Sequence, residues 1–269
     1  MNICFIGGGN MATALIGGLL GKSYAASQIS VVEIHDQNRT QLQEKFGVRA
    51  VAGLAEGVAG SDLIVFAVKP QQLREVAQQL APLLDGQLLV SIAAGIRAGD
   101  LARWSGSQAV VRAMPNTPAL IQSGMTGLYA LPAVSAAQRG QAQNILAAVG
   151  DTLWLEDEAM LDAVTAISGS GPAYVFYFIE ALQQAAAELG FNAEDARRLS
   201  LATFVGASRL AASSAEDVSV LRARVTSKNG TTERALLSLA ANQVAAHIAQ
   251  AARAAADRAR EMGDELGVQ

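Results

Sequence analysis

The stretch "NICFIGGGNMATALIGGLL", Asn2 to Leu20, decides the fold. Ile3 to Ile6 is a short apolar run of the kind found in a strand buried on both faces. Gly7, Gly8 and Gly9 then permit a backbone turn that side chains would block. From Asn10 to Leu20 the pattern is helical. Strand, glycine turn and helix in that order leave free backbone N–H groups at a helix N-terminus, where a pyrophosphate would sit, and Gly7-x-Gly9-x-x-Ala12 fits the dinucleotide pattern. Gly7, Gly8, Gly9, Asn10 and Met11 are therefore candidate cofactor-binding residues. Turn chemistry alone also explains glycines between a strand and a helix, so the following segments carry the decision.

Those segments repeat the alternation. Ile29 to Ile34, "ISVVEI", reads as a second buried strand, and Glu33 near its end is placed to meet ribose hydroxyls, although a solvated charge at a strand end fits equally. Asp62 to Val68, "DLIVFAV", is a third strand, stopped by Lys69-Pro70. Gln87 to Ile92 and Ala109 to Met114 continue the series, with "QQLREVAQQLAPLL" as an intervening helix. This predicts an α/β fold: a Rossmann-type, doubly wound parallel sheet with right-handed crossovers over residues 1–156. After Trp154 the texture becomes Ala-rich and helical. Val244, Ile248, Ala252, Ala255, Ala259 and Met262 form one apolar stripe at helical spacing. Residues 157–269 are thus expected to form an all-helical domain for substrate binding and oligomerisation.

Composition excludes several function classes. The 269 residues are 51% hydrophobic and 16% charged, enough to bury a sizeable core. A net charge of −4 gives no excess of Lys and Arg to neutralise phosphates, so no nucleic-acid partner is expected. The single Cys, Cys4, rules out an internal disulfide framework and reads as a buried small hydrophobe. The uncharged N-terminal run lacks a basic flank and is broken by glycines. The run Ala163 to Ile179 is too short and too interrupted to span a bilayer. A cytoplasmic location, no membrane association and no metal site are the resulting expectations. The two histidines, His35 and His247, are not placed for catalysis.

"VTSKNGTT", Val225 to Thr232, is rich in hydroxyl groups and opens a helix, which suits it to a small anion, although Ser, Thr and Asn before a helix are also ordinary capping residues. Together with "FIGGGNMATALIGG", "AVKPQ", "VRAMPNTPA", "ISGSGPAYVFYFIEAL" and "LRARVTSKNGTTERAL", in this order and spacing, it makes the chain resemble the pyrroline-5-carboxylate reductases, which complete proline synthesis. The resemblance spans nearly the whole chain.

It implies NADPH- or NADH-dependent reduction of a cyclic imine. Thr232 would be the hydrogen-bond partner or proton relay at the ring nitrogen. Ser227, Gly230 and Thr231 would cradle the substrate carboxylate, and Glu216 matches an acidic residue near the substrate amine. Ala67, Val68, Lys69 and Pro70 resemble the segment lying against the cofactor. Ala93 and Ala94 would admit the nicotinamide, and Asn116 in "MPNTP" would donate to nicotinamide or substrate, although packing and turn chemistry explain these equally. In "SGSGP", Ser170 reads as a helix cap and Pro172 as a first-turn residue.

The resemblance further implies a homodimer or a larger ring of dimers. One departure stands out: the family loop usually reads Val-Thr-Ser-Pro-Gly-Gly, and here Lys228 and Asn229 replace the Pro and the first Gly. Glu33 would favour NADH and Arg39 would attract a 2′-phosphate, so use of both cofactors is expected. Three rivals stay open: a related imine reductase, a β-hydroxyacid dehydrogenase and a non-catalytic dinucleotide sensor. The dehydrogenase would place a Lys on the helix after Pro172, where Ala173 to Leu189 has none. The sensor would not need the loop at 225–232.

Overall fold

The computed structural model describes residues 1–267. Its elements run β1 (Ile3–Ile6), α1 (Asn10–Gly21), β2 (Ile29–Val32), α2 (Asp36–Phe46), β3 (Arg49–Val51), α3 (Leu54–Val58), β4 (Leu63–Phe66), α4 (Pro70–Leu80), β5 (Leu88–Ser91), α5 (Ala98–Ser105), β6 (Val110–Met114), β7 (Gly124–Ala130), α6 (Ala136–Leu146), β8 (Gly150–Trp154), α7 (Met160–Val164), α8 (Gly171–Glu188), α9 (Ala193–Ser213), α10 (Val218–Arg224), α11 (Thr231–Ala241) and α12 (Val244–Gly267). The chain divides into two compact units, one of Met1–Ser170 with the chain from Ala254 onward, the other Gly171–Arg253.

The first unit is an eight-stranded sheet of order β3-β2-β1-β4-β5-β6-β7-β8. Period-two alternation along β1 sends Ile3 and Phe5 into one core with Leu15, Ile16 and Leu19 of α1. Cys4 and Ile6 go into the other, with Phe66, Leu73 and Leu80. Burial on both faces explains why the strands read as continuous apolar runs. The strand order reverses between β1 and β4, and a crevice at such a switch point is where these sheets bind ligands.

The sheet is not wholly parallel. β7 runs antiparallel to β6, and β8 parallel to β7. The chain between Met114 and Gly124 is too short for the helical crossover that a parallel neighbour requires, and it carries only a 3₁₀ stretch, Thr117–Ile121. The helical texture that begins after Trp154 also does not coincide with the border of the compact units. α7 packs on β6 and β7, so the first unit continues to Ser170.

Helix ends follow local chemistry. Pro70 starts α4 and Ser135 caps α6 by accepting from Gln138 N at 3.3 Å. Gly47 and Gly106 end α2 and α5 in the left-handed region. Ser170 does not cap a helix start: its backbone is αR and it ends the preceding π-helical stretch, with its N–H donating to the carbonyl of Thr165 at 2.8 Å. A π-helical stretch, Thr165–Gly169, joins α7 to α8 and places the glycines inside a helix rather than before one. Late in α12, Met262 and Leu266 lie over Gly95, and Arg97 pairs with Asp264 at 2.5 Å.

The second unit consists of α8 to α11 and the first turns of α12. Between residues 171 and 253 only Ala196 and Ser200 are buried. Phe176, Tyr177, Leu189 and Leu210 are more than half exposed. An apolar surface of this kind marks an interaction site.

Candidate active site

In the first unit the site grows from the β1–α1 turn. Gly7 has φ +99°, and a Cβ there would stand 2.7 Å from the carbonyl oxygen of Ala67. At Gly8 a Cβ would meet Leu42 at 2.6 Å, whereas at Gly9 nothing lies within 4 Å. Gly7 is thus required by close backbone approach, Gly8 is crowded by the Leu42 and Glu33 side chains, and Gly9 leaves open space. Gly9 caps α1 without a side-chain hydrogen bond. Among the described residues, the N–H groups of Asn10 and Met11 have no acceptor. Such orphan donors at a helix N-terminus suit a phosphate.

A cleft of about 530 Å³ adjoins this turn, lined by Gly7 to Gly9, Glu33, Ile34, His35 and the segment Ala67, Val68 and Lys69. Pro70 is the first residue of α4 behind it. The glycine cradle, the unpaired N–H groups and the acidic residue after β2 fit a dinucleotide. Glu33 is buried, and its carboxylate is already in use: Oε2 accepts from Gly8 N at 3.1 Å and Oε1 from His35 N at 2.9 Å. It therefore holds the glycine turn against β2 as well as facing the cleft.

Two other sequence candidates have mainly structural partners. Asn116 donates from Nδ2 to the carbonyl and hydroxyl oxygens of Ser168 (3.1 and 3.2 Å) and accepts from Met125 N at 2.9 Å. It ties the loop after β6 to the π-helical stretch. Ala93 is buried with its N–H on Ser91 Oγ at 3.3 Å, and Ala94 is half-buried. Arg112 lies inside the motif "VRAMPNTPA", but its residue type alone gave it no role. It is buried on β6 and pairs with Glu158 and Asp162 at 3.1 and 3.5 Å.

In the second unit the loop 225–230 leads into α11. Gly230 is the N-cap, and a Cβ on it would fall 2.3 Å from Ser227 Oγ. Its N–H donates to the Ser227 carbonyl at 3.0 Å, closing a tight turn. Asn229 takes φ +60°, and its N–H is held by Glu233 Oε2 at 2.7 Å. A glycine would meet that left-handed requirement, and Asn is among the few other residues that do so readily. This is the physical reason the departure at 229 leaves the turn intact.

Among the described residues, no acceptor pairs with the N–H groups of Thr231, Thr232 or Glu233, and no hydrogen bond uses the hydroxyls of Thr231 and Thr232. The loop thus offers a set of convergent donors and a free hydroxyl. Glu216 is engaged elsewhere: Arg224 grips both its carboxylate oxygens, one pair at 2.6 Å. No hydrogen bond joins it to the loop among the described residues. Asp217, which caps α10 ahead of the loop, has its carboxyl lowered below the usual range by the hydrogen bonds from Ser219.

Comparison with known proteins decides the assignment. Residues 158–262 match the model for pyrroline-5-carboxylate reductase dimerisation, and residues 2–95 match that for NADP oxidoreductase, coenzyme F420-dependent. The pyrroline-5-carboxylate reductase of Pseudomonas aeruginosa is 49% identical over 98% of both chains. The chain belongs to the pyrroline-5-carboxylate reductase family. The structure of the Coxiella burnetii reductase has a TM-score of 0.93 at 38% identity, covering 97% of this chain and 98% of that one. That of the Plasmodium falciparum enzyme, solved with NADP bound, gives 0.87 at 29% identity over 98% of each. No helix among the described residues is long and apolar enough to cross a membrane.

Proposed function

We propose that the chain reduces 1-pyrroline-5-carboxylate to L-proline, with NADPH or NADH as the reductant. The observation that carries this reading is the loop at 225–232: among the described residues its N–H groups at Thr231 and Thr232 and a threonine hydroxyl are unpaired, and the loop itself contains no His, Cys or carboxylate. Imine reduction needs a hydride at carbon and a proton at nitrogen, so orientation and electrostatics suffice.

The nicotinamide supplies the hydride when bound. Gly7, Gly8, Gly9, Asn10 and Met11 would hold its pyrophosphate, Glu33 the ribose, and Ala67, Val68 and Lys69, just ahead of Pro70, one wall of its cleft. Ser227, Gly230 and Thr231 would grip the substrate carboxylate at the N-terminus of α11, where the helix dipole favours an anion. Thr232 Oγ1 would take the hydrogen bond of the ring nitrogen and orient it. Glu216, occupied by Arg224, would shape the approach to the loop rather than meet the nitrogen.

The apolar surface of the second unit supports self-association of this chain through α8 to α11, as a homodimer or a ring of dimers. The activity is tested by following NAD(P)H oxidation with 1-pyrroline-5-carboxylate beside a six-membered cyclic imino acid and a panel of 2-keto and β-hydroxy acids. Fast turnover on the five-membered imine is expected. Turnover confined to the larger ring or to the hydroxy acids would reject the reading.

A further inference from the structure

We infer that the chain binds NADH in preference to NADPH, and that the Asp36–Arg39 pair sets this preference. The inference rests on the reading of the β1–α1 cleft as a dinucleotide site. In a parallel sheet of this order, the residue at the end of the second strand faces the adenosine ribose, and a cation nearby is what accommodates a 2′-phosphate.

Glu33 fills that place. It is buried, and two backbone N–H groups fix its carboxylate, so it cannot swing away from an incoming phosphate. The cation on α2 is Arg39, and it is already committed. Its Nη1 donates to the Glu33 carbonyl at 2.7 Å, and its Nη2 forms an ion pair with Asp36. Only about a fifth of the Arg39 side chain is exposed, and it does not line the cleft. Asp36 also sits in the first turn of α2, where it offsets the helix-dipole charge that would otherwise welcome a phosphate.

The remaining charged or titratable groups on the cleft wall are His35, Lys69 and Glu75. Glu75 opposes Lys69 in sign, so the wall carries no net positive charge to replace Arg39. A 2′-phosphate, close to two negative charges, therefore meets Glu33 without a free guanidinium beside it, whereas a 2′-hydroxyl can donate to Glu33.

The test is direct titration of the purified full chain with NADH and with NADPH, read by nucleotide fluorescence without any imino acid. The chain should bind NADH about tenfold more tightly, and the gap should narrow with added salt. Asp36→Ala frees Arg39, so it should tighten NADPH binding by about tenfold while leaving the NADH Kd within about twofold. Glu33→Gln should weaken NADH and tighten NADPH. Equal or tighter binding of NADPH by the unaltered chain would overturn the inference, as would an Asp36→Ala variant that shifts both nucleotides equally or neither. If the folded chain bound neither nucleotide, the dinucleotide reading itself would fall, a result distinct from a reversed preference.

Discussion

Replacing Thr232 by Ala separates catalysis from folding more cleanly than any other change in the loop. Thr232 follows the N-cap Gly230 by two residues, so it is not the capping residue. Its hydroxyl makes no hydrogen bond in the described structure, and removing it leaves no partner unsatisfied. The expected cost to stability is below about 0.5 kcal/mol, the range of a surface change away from special features.

In the proposed reaction the same hydroxyl would bond to the ring nitrogen, which is cationic once protonated. A hydrogen bond to a charged group contributes about 1.5–3 kcal/mol, or roughly ten- to a hundredfold in rate. The predicted result is a fall of that size in kcat/KM on 1-pyrroline-5-carboxylate, carried mostly by kcat, with NADH affinity and thermal midpoint unchanged. Thr232→Ser should restore most of the rate, because it returns the hydroxyl. A Thr232→Ala enzyme with kcat/KM within about twofold of the unaltered chain would refute the role.

Three further perturbations follow from the geometry. Arg112→Ala leaves Glu158 with only the Ala98 N–H and Asp162 without its cation, so it should cost about 2–3 kcal/mol and lower the thermal midpoint by roughly 5–10 °C; a loss under about 1 kcal/mol would contradict the network. Asn229→Gly should preserve kcat/KM, whereas Asn229→Val, forced to φ +60°, should reduce it while nucleotide binding holds, because the strain of about 1–2 kcal/mol falls on the carboxylate loop. Burial pushes the Cys4 thiol up to about 11 from 9.0. The native state therefore keeps its proton where the unfolded chain has lost it, and this stabilisation is complete below pH 9 and declines as the pH rises through 11. Denaturant melts of Cys4→Ala should show a flatter decline between those pH values; identical slopes would reject the assignment.

The parts of this protein that were legible in its sequence are those in which a local pattern and the tertiary role coincide. β1, β4 and β5 are buried on both faces and read as apolar runs, and the glycine turn is fixed by the approach of Ala67 to Gly7. β3 and β7 escaped notice for different reasons. β3 is three residues long, and β7, "GMTGLYA", carries two glycines that look like turn signals. Those glycines answer to neighbours distant in sequence: a Cβ at Gly124 would press on the carbonyl oxygen of Val149, and one at Gly127 on Leu161 and Val164.

The site shows the same division. The loop at 225–232 stood out through its hydroxyls, which suit an anion or a helix cap alike, but nothing local told that Glu233 reaches back to Asn229 or that Arg224 occupies Glu216. Arg39 likewise reads as a free cation until the fold turns it onto Asp36.

In the proposed reaction, hydride passes from the nicotinamide to an imine carbon. The most direct measurement of this transfer is product analysis after incubation with 1-pyrroline-5-carboxylate and NADH deuterated at the transferring position. Mass spectrometry should find L-proline carrying one deuterium on Cδ, in one-to-one yield with the NADH consumed. NADH consumption without labelled proline, or no reaction by a chain that binds the nucleotide, would contradict the account.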